Sequence, residues 1–309
     1  MNTKTVLSRY PAFMGRWKKY KKQFPDVKNW FISSDYCFDK NKYNQVITFT
    51  ICPSVDIKWL DSQLRQDLPK DIKHLTHISD KMIYFLKSNY FFFSISFIIK
   101  GKCELLIDNL KKSLPKWIKQ LEINNKVKYH KQIKRYKLLQ CYLTQKSYNK
   151  KLVSNLCLTA TSLASIIEFL IIKYDAKKIL WISDRDDMLG LCEGVIINIT
   201  QSFYNGLLNG RKKENILFEV TKENSKTNTF EFDALIRYPD VISGIISSVD
   251  FERNICDKAK HFDLFVNAVA DNARIQVFQI NDGFLRNSYE FKRSDKGDDI
   301  IRAHLVPEI

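Results

Sequence analysis

Residues 90–99 read Tyr-Phe-Phe-Phe-Ser-Ile-Ser-Phe-Ile-Ile, with no charge among them. Ten residues are about half of what a helix needs to cross a bilayer. As a strand, the run has no polar face to offer water, so both sides of its sheet must be covered. That requirement points to a sheet between helical layers rather than a hairpin protein with one wet face.

The neighbouring segments supply the rest. Asn29–Ser34 and Val46–Ile51 are apolar and rich in β-branched or aromatic residues, which predicts two strands joined by the polar stretch 35–44 and ended by Pro53. Residues 56–66 and 78–87 read as short helices, and 104–175 as a long helical region. Strands are predicted over 177–183 and 215–221, with a helix over 187–208 between them that Gly210 stops. Residues 230–235 read as a short extended piece, and 241–251 as a helix begun by Pro239-Asp240. Residues 254–270 continue helical, 275–280 alternate as an edge strand would, and 295–299 form an acidic tail. The order predicts an α/β protein whose mixed sheet starts with three antiparallel strands, continues with parallel ones, and is flanked by helices. The expected organisation is a basic leader (1–28), a core (29–251) with a basic helical insertion at about 104–151, and a helix–strand extension (252–309).

The chain has 309 residues and a formal charge of +16. Such an excess attracts polyanions, nucleic acid above all, with an acidic membrane surface as the plainer competitor. Thirteen Lys and Arg fall between 111 and 151 against the single acid Glu122. Lys111, Lys112, Lys116, Lys119, Lys126, Lys128, Lys131, Lys134, Arg135 and Lys137 are candidate phosphate contacts, and Tyr129 and Tyr136 candidate stacking platforms for bases. The plainer alternative is a solvated helix pair with its tyrosines in the core. The leader 9–28 is a candidate extension of this surface, and its Tyr10, Phe13, Trp17, Tyr20 and Phe24 recur at helix-like spacing, which predicts a short amphipathic helix.

Seven cysteines, with no C-x-x-C pair, read as reduced core thiols of a cytoplasmic protein. No clustered zinc ligands stand out, and His74, His77, His130, His261 and His304 show no metal spacing. Leu152–Ile172 is long enough to span a membrane, but its Asn, Ser, Thr and Glu residues favour a buried helix, and no membrane partner is expected.

Three aspartates sit at the ends or starts of apolar segments: Asp35 after Trp30–Ser34, Asp184 after Ile179–Ser183, and Asp240 before Val241–Ile246. Carboxylates delivered to element ends can converge on Mg²⁺ or Mn²⁺, whose preferred ligands are oxygens. Each has a plainer role: a turn residue for Asp35, helix caps for Asp184 and Asp240. Asp186 and Asp187 are alternatives or supplements to Asp184.

The layout strand-Asp, strand-Asp, Asp opening a late helix resembles the ribonuclease H-like fold. More narrowly, the chain resembles the bacterial domain-of-unknown-function 3800 family, through Ser34-Asp35-Tyr36-Cys37, Trp181-Ile182-Ser183-Asp184 and Tyr238-Pro239-Asp240-Val241-Ile242-Ser243-Gly244. The family has Asp-Glu-Ser-Gly in the first motif, and Tyr36 stands here in place of its Glu. The resemblance implies a divalent-metal-dependent nuclease cutting DNA or RNA by a two-metal mechanism. Asp35, Asp184 and Asp240 would be ligands, Glu168 a fourth acid from the preceding helix, and Asp187 a further ligand. Anti-phage defence and a protein partner from a multi-gene system are the wider expectations. The competing expectation is a catalytically degenerate nucleic-acid-binding or scaffolding subunit. Phe230–Ile236 also resembles the central strand of a PD-(D/E)XK nuclease, without the Glu-x-Lys that should follow it.

Overall fold

A computed structural model describes residues 5–69, 78–184, 186–209, 215–220, 223–224, 229–230, 232–293 and 300–305. The four stretches 215–220, 223–224, 229–230 and 300–305 are described by backbone alone. His74, His77, the acidic tail and Arg185 lie outside these residues.

The chain enters through a 3-10 turn (Leu7–Arg9) and helix α1 (Pro11–Lys21), then forms strands β1 (Asn29–Cys37) and β2 (Gln45–Pro53). Helices α2 (Ile57–Asp67) and α3 (Asp80–Ser88) lead to β3 (Phe93–Lys100). Three helices follow: α4 (Glu104–Asn125), α5 (His130–Thr144) and α6 (Lys150–Tyr174). Next come β4 (Lys178–Ser183), α7 (Asp187–Gly194), α8 (Ile196–Leu208) and β5 (Asn215–Val220). The short pairs β6 (Glu223–Asn224) with β7 (Thr229–Phe230), and β8 (Val249–Asp250) with β9 (Ile255–Cys256), bracket helix α9 (Asp233–Ser247). Helix α10 (Ala259–Leu264) runs into a π-helical turn (Phe265–Val269), and β10 (Ile275–Asn281), β11 (Phe284–Arg293) and β12 (Ile300–Leu305) close the chain.

Eight strands form one mixed sheet in the order β12-β11-β10-β3-β2-β1-β4-β5. β1, β2 and β3 pair antiparallel, while β4 lies parallel to β1 and β5 parallel to β4. The apolar run of β3 is buried on both faces, as its composition demands. One face carries Trp30, Ile32, Phe49, Phe97 and Trp181 beneath α1, α4, α5, α6 and α8. The other carries Val46, Ile98 and Ile182 beneath α2, α3, α9 and α10.

Several boundaries differ from the sequence expectation for identifiable reasons. The leader forms the helix its aromatic spacing predicts, and that helix packs into the core: Phe13, Trp17 and Tyr20 of α1 are fully buried, with Trp17 ringed by Trp30, Phe93, Phe169 and Tyr174. Arg16 of α1 pairs with Glu290 and donates to the Ile275 carbonyl, so its charge ties elements together. Phe230 is extended in β7, but α9 begins at Asp233 with Pro239 inside it, so 233–235 are helical and the central strand of a PD-(D/E)XK site is not formed there. β10 is an interior strand, parallel to β3 and antiparallel to β11. Its polar Gln276 mimics an exposed position but is buried, donating to Ser288 Oγ and the Tyr289 carbonyl. The 252–309 extension thus contributes strands to the same sheet.

One helix, Lys150–Tyr174, is long and apolar enough to cross a membrane among the described residues, and most of it is buried against the sheet and α8. Its Asn149 side chain accepts the Leu152 N–H as N-cap, and Asp175 ends it in the left-handed region at φ 52°.

Candidate functional site

β1 and β4 run parallel as neighbours, with Ser34 paired to Ser183 and the Asp184 N–H donating to the Ser34 carbonyl (3.2 Å). Asp35 and Asp184 therefore leave the carboxyl ends of adjacent strands side by side. Strand alternation turns Asp35 to the face of Phe31, Cys37 and α9, and gives Asp184 the direction of Ile182. Asp35 is buried at 6 % exposure, and Asp184 is exposed.

Helix α9 crosses over β1 and β2 on this face. Its Ser243 hydroxyl donates to Asp35 Oδ2 and lies 3.0 Å from the Asp240 carbonyl oxygen. Asp240 sits one helical turn before Ser243, half-buried. It is a mid-helix residue and not the cap that its proline neighbour suggests. Asp35 and Asp184 thus leave adjacent strand ends on one face of the sheet, and Asp240 stands one helical turn from the Ser243 that contacts Asp35. Their oxygens are not all within 4.8 Å of one another; among the described residues the only three-residue metal-capable group that tight is Cys256, Asp257 and His261. Sequence reasoning misses that cluster, although the spacing C-D-x-x-x-H is a signal for it. It also misses Ser243, although that residue stands three positions after Asp240, on the same helical face.

Asp186 is the N-cap of α7, its Oδ1 accepting the Met188 N–H at 2.9 Å, and Asp187 is exposed in the first turn. Of these acids, Asp184 alone continues the pairing with β1. Glu168 does not join the group. It is buried (3 % exposed) in α6 on the opposite face of the sheet, where its Oε2 accepts the Val6 N–H at 3.3 Å. The ends of α6 fix its height: Lys151 reaches the Phe38 carbonyl past the end of β1, and the chain after Asp175 meets Lys28 before its start. Glu168 falls in the half near Lys28, away from Asp35.

Tyr36 also faces away from Asp35. Its hydroxyl lies 2.8 Å from Ser34 Oγ and 2.7 Å from Ser183 Oγ, and Trp181 Nε1 donates to Ser34 Oγ at 2.9 Å. Burial raises the Tyr36 phenol well above its usual range, so it is a neutral member of a hydroxyl network.

The basic segment folds as an α4–α5 helical hairpin. Leu110, Leu114, Ile118, Ile133, Leu139 and Leu143 form its buried stripe, and Lys111, Lys112, Lys116, Lys119, Lys126, Lys128, Lys131, Lys134 and Lys137 are exposed. Lys134 pairs with Glu193 of α7, and Lys137 with Glu122. Arg135 is half-buried and donates to Asn198 Oδ1 at 3.1 Å. Tyr129 is half-buried beneath the Lys128 ammonium, 5.4 Å from its ring centre. Tyr136 is not a stacking platform: it is fully buried, its hydroxyl 2.7 Å from both the Asn198 carbonyl and Ser202 Oγ of α8. α5 packs against α7, which starts just after Asp184, so the hairpin approaches the strand end that Asp184 leaves, over the face of the sheet opposite to the aspartates.

No family model, no curated protein and no solved structure matches the chain.

Proposed function

We propose that the chain is a divalent-metal-dependent nuclease of ribonuclease H-like type, resembling the domain-of-unknown-function 3800 proteins. The observation that carries the reading is the delivery of Asp35 and Asp184 by adjacent parallel strands to the face where α9 brings Asp240. The strand order around them, three antiparallel strands followed by two parallel ones joined on through β1, is the arrangement the resemblance implies. Three carboxylates are a hard oxygen donor set, suited to Mg²⁺ or Mn²⁺ rather than a thiophilic ion. Asp35, Asp184 and Asp240 would hold the ion, and bound there it would supply an activated water and a counter-charge for the leaving oxygen. Ser243 keeps the Asp35 carboxylate in one orientation. The exposed lysines of the α4–α5 hairpin would hold the phosphate backbone of DNA or RNA, positioning it without reading its bases. Free cysteines throughout the described chain agree with a cytoplasmic setting.

A second reading, a degenerate nucleic-acid-binding or scaffolding subunit, draws on two observations. Tyr36 replaces the acid of the first family motif and turns to the other face, and the three aspartates are not drawn within 4.8 Å of one another. The two readings separate on incubation of the protein with labelled single- and double-stranded DNA and RNA, with Mn²⁺, Mg²⁺ or EDTA. The nuclease reading expects metal-dependent cutting that Asp184→Asn/Asp240→Asn abolishes. Retention of the nucleic acid without cutting under every condition supports the subunit.

A further inference from the structure

We infer that Cys256, Asp257 and His261 form a second metal site, selective for a thiophilic divalent ion of the zinc class and separate from the aspartate trio. The three donor atoms lie within 4.8 Å of one another. They converge on a single oxygen: Cys256 Sγ is 3.7 Å and His261 Nδ1 2.7 Å from Asp257 Oδ1. Zinc bonds of ~2.3 Å to sulfur and ~2.0 Å to oxygen or nitrogen, at tetrahedral angles, set S and O ~3.5 Å apart and N and O ~3.3 Å apart. The sulfur edge is therefore already near its bound length, and the nitrogen edge must open by about 0.6 Å.

The surroundings hold the donors in place. Lys42 Nζ binds the other carboxylate oxygen, Oδ2, and the Ser248 hydroxyl, which fixes the carboxylate and leaves Oδ1 facing the thiol and the imidazole. The Asp257 N–H donates to the Ser248 carbonyl. His261 is 3 % exposed and its Nε2 has no partner among the described residues, so the ring is engaged through Nδ1 alone. On binding, the Cys256 thiol proton leaves to solvent and the His261 proton moves from Nδ1 to Nε2, freeing both lone pairs for the ion. The Lys42 ammonium offsets one of the two anionic ligands. Water takes the fourth position. The cluster stands directly beyond α9, whose C-cap Ser248 accepts the Asp257 N–H, so an ion there would join β9 to α10 beside the helix that carries Asp240 and Ser243.

The test uses the full chain, stripped with chelator and titrated with Co²⁺. A thiolate-to-cobalt charge-transfer band at one equivalent, displaced by Zn²⁺, is the expected result. Cys256→Ser should abolish the band, whereas Cys141→Ser, which alters an exposed cysteine elsewhere, should leave it unchanged. His261→Gln should weaken Zn²⁺ by about tenfold or more. Asp184→Asn should leave the band intact, so failure at this site is distinguishable from failure of the nuclease reading. No band in the native protein, or a band that survives Cys256→Ser, overturns the inference.

Discussion

Replacing Trp17 by alanine tests whether the basic N-terminal helix is part of the core. The indole is fully buried, with the rings of Phe13, Tyr20, Trp30, Phe93, Phe169 and Tyr174 at centroid distances of 5.0–6.2 Å. A buried aromatic of this size removes about 150–250 Å² from water, worth ~4–6 kcal/mol at ~25 cal/mol per Å². Alanine keeps one carbon of that burial, while the cavity adds a cost that partial collapse reduces, so Trp-to-Ala changes in cores fall at about 3–5 kcal/mol. One contribution runs the other way. Trp17 Nε1 is buried without a hydrogen-bond partner among the described residues, and deleting it returns roughly 1 kcal/mol. The expectation is a loss of about 3–4 kcal/mol for Trp17→Ala and about 1 kcal/mol for Trp17→Phe, which keeps a ring and discards the orphaned N–H. Urea unfolding followed by circular dichroism measures both. A loss under about 1 kcal/mol for alanine would mean instead that α1 rests on the surface.

Other expectations follow from the same geometry. Tyr136→Phe should cost about 1–2 kcal/mol of stability by unpairing Ser202 Oγ, and leave nucleic-acid affinity unchanged in a filter-binding assay. Neutralising Lys112, Lys116 and Lys119 to glutamine should weaken binding to all sequences alike. It should also flatten the salt dependence, by about 0.9 in log–log slope for each phosphate that a lysine no longer neutralises. Stability should fall on acidification from about pH 6.5, the usual His value. His261 is held below that value mainly by burial. For Asp257, burial acts upward and is outweighed by the Lys42 and His261 hydrogen bonds, so its carboxyl also lies below its usual 3.8. Both groups have folded pKa values under their unfolded ones, so their stabilisation is present at neutral pH and lost as pH drops. His261→Gln should flatten the upper part of that decline in melts between pH 7 and 5.

Much of this architecture was legible because it follows from burial. The charge-free run 90–99 demanded cover on two faces, and the apolar segments around Trp30, Phe49 and Trp181 could pack only as its neighbours. What escaped the sequence depended on partners distant in the chain. The spacing of Phe13, Trp17 and Tyr20 announces α1, but not the place over β1 and β3 that its apolar stripe fills. Pro239 looked like a helix start, yet the packing of Ala234, Leu235 and Tyr238 carries α9 through it. Gln276 looked solvent-facing because no sequence signal announces the Ser288 that satisfies it. At the aspartate trio, the strand positions of Asp35 and Asp184 were readable. The height of Glu168 was not, since it depends on where α6 meets the ends of β1. The Cys256–Asp257–His261 cluster is local, and its C-D-x-x-x-H spacing is a readable signal.

Mn²⁺ binding to the chelator-treated protein, followed by the loss of the free-ion paramagnetic resonance signal, decides whether Asp35, Asp184 and Asp240 form a metal site. Binding is expected in the native chain, weakened by about tenfold or more in each of Asp35→Asn, Asp184→Asn and Asp240→Asn, and unchanged in Glu168→Gln. Absence of Mn²⁺ binding in the native chain, or affinity indifferent to all three aspartates, would contradict such a site.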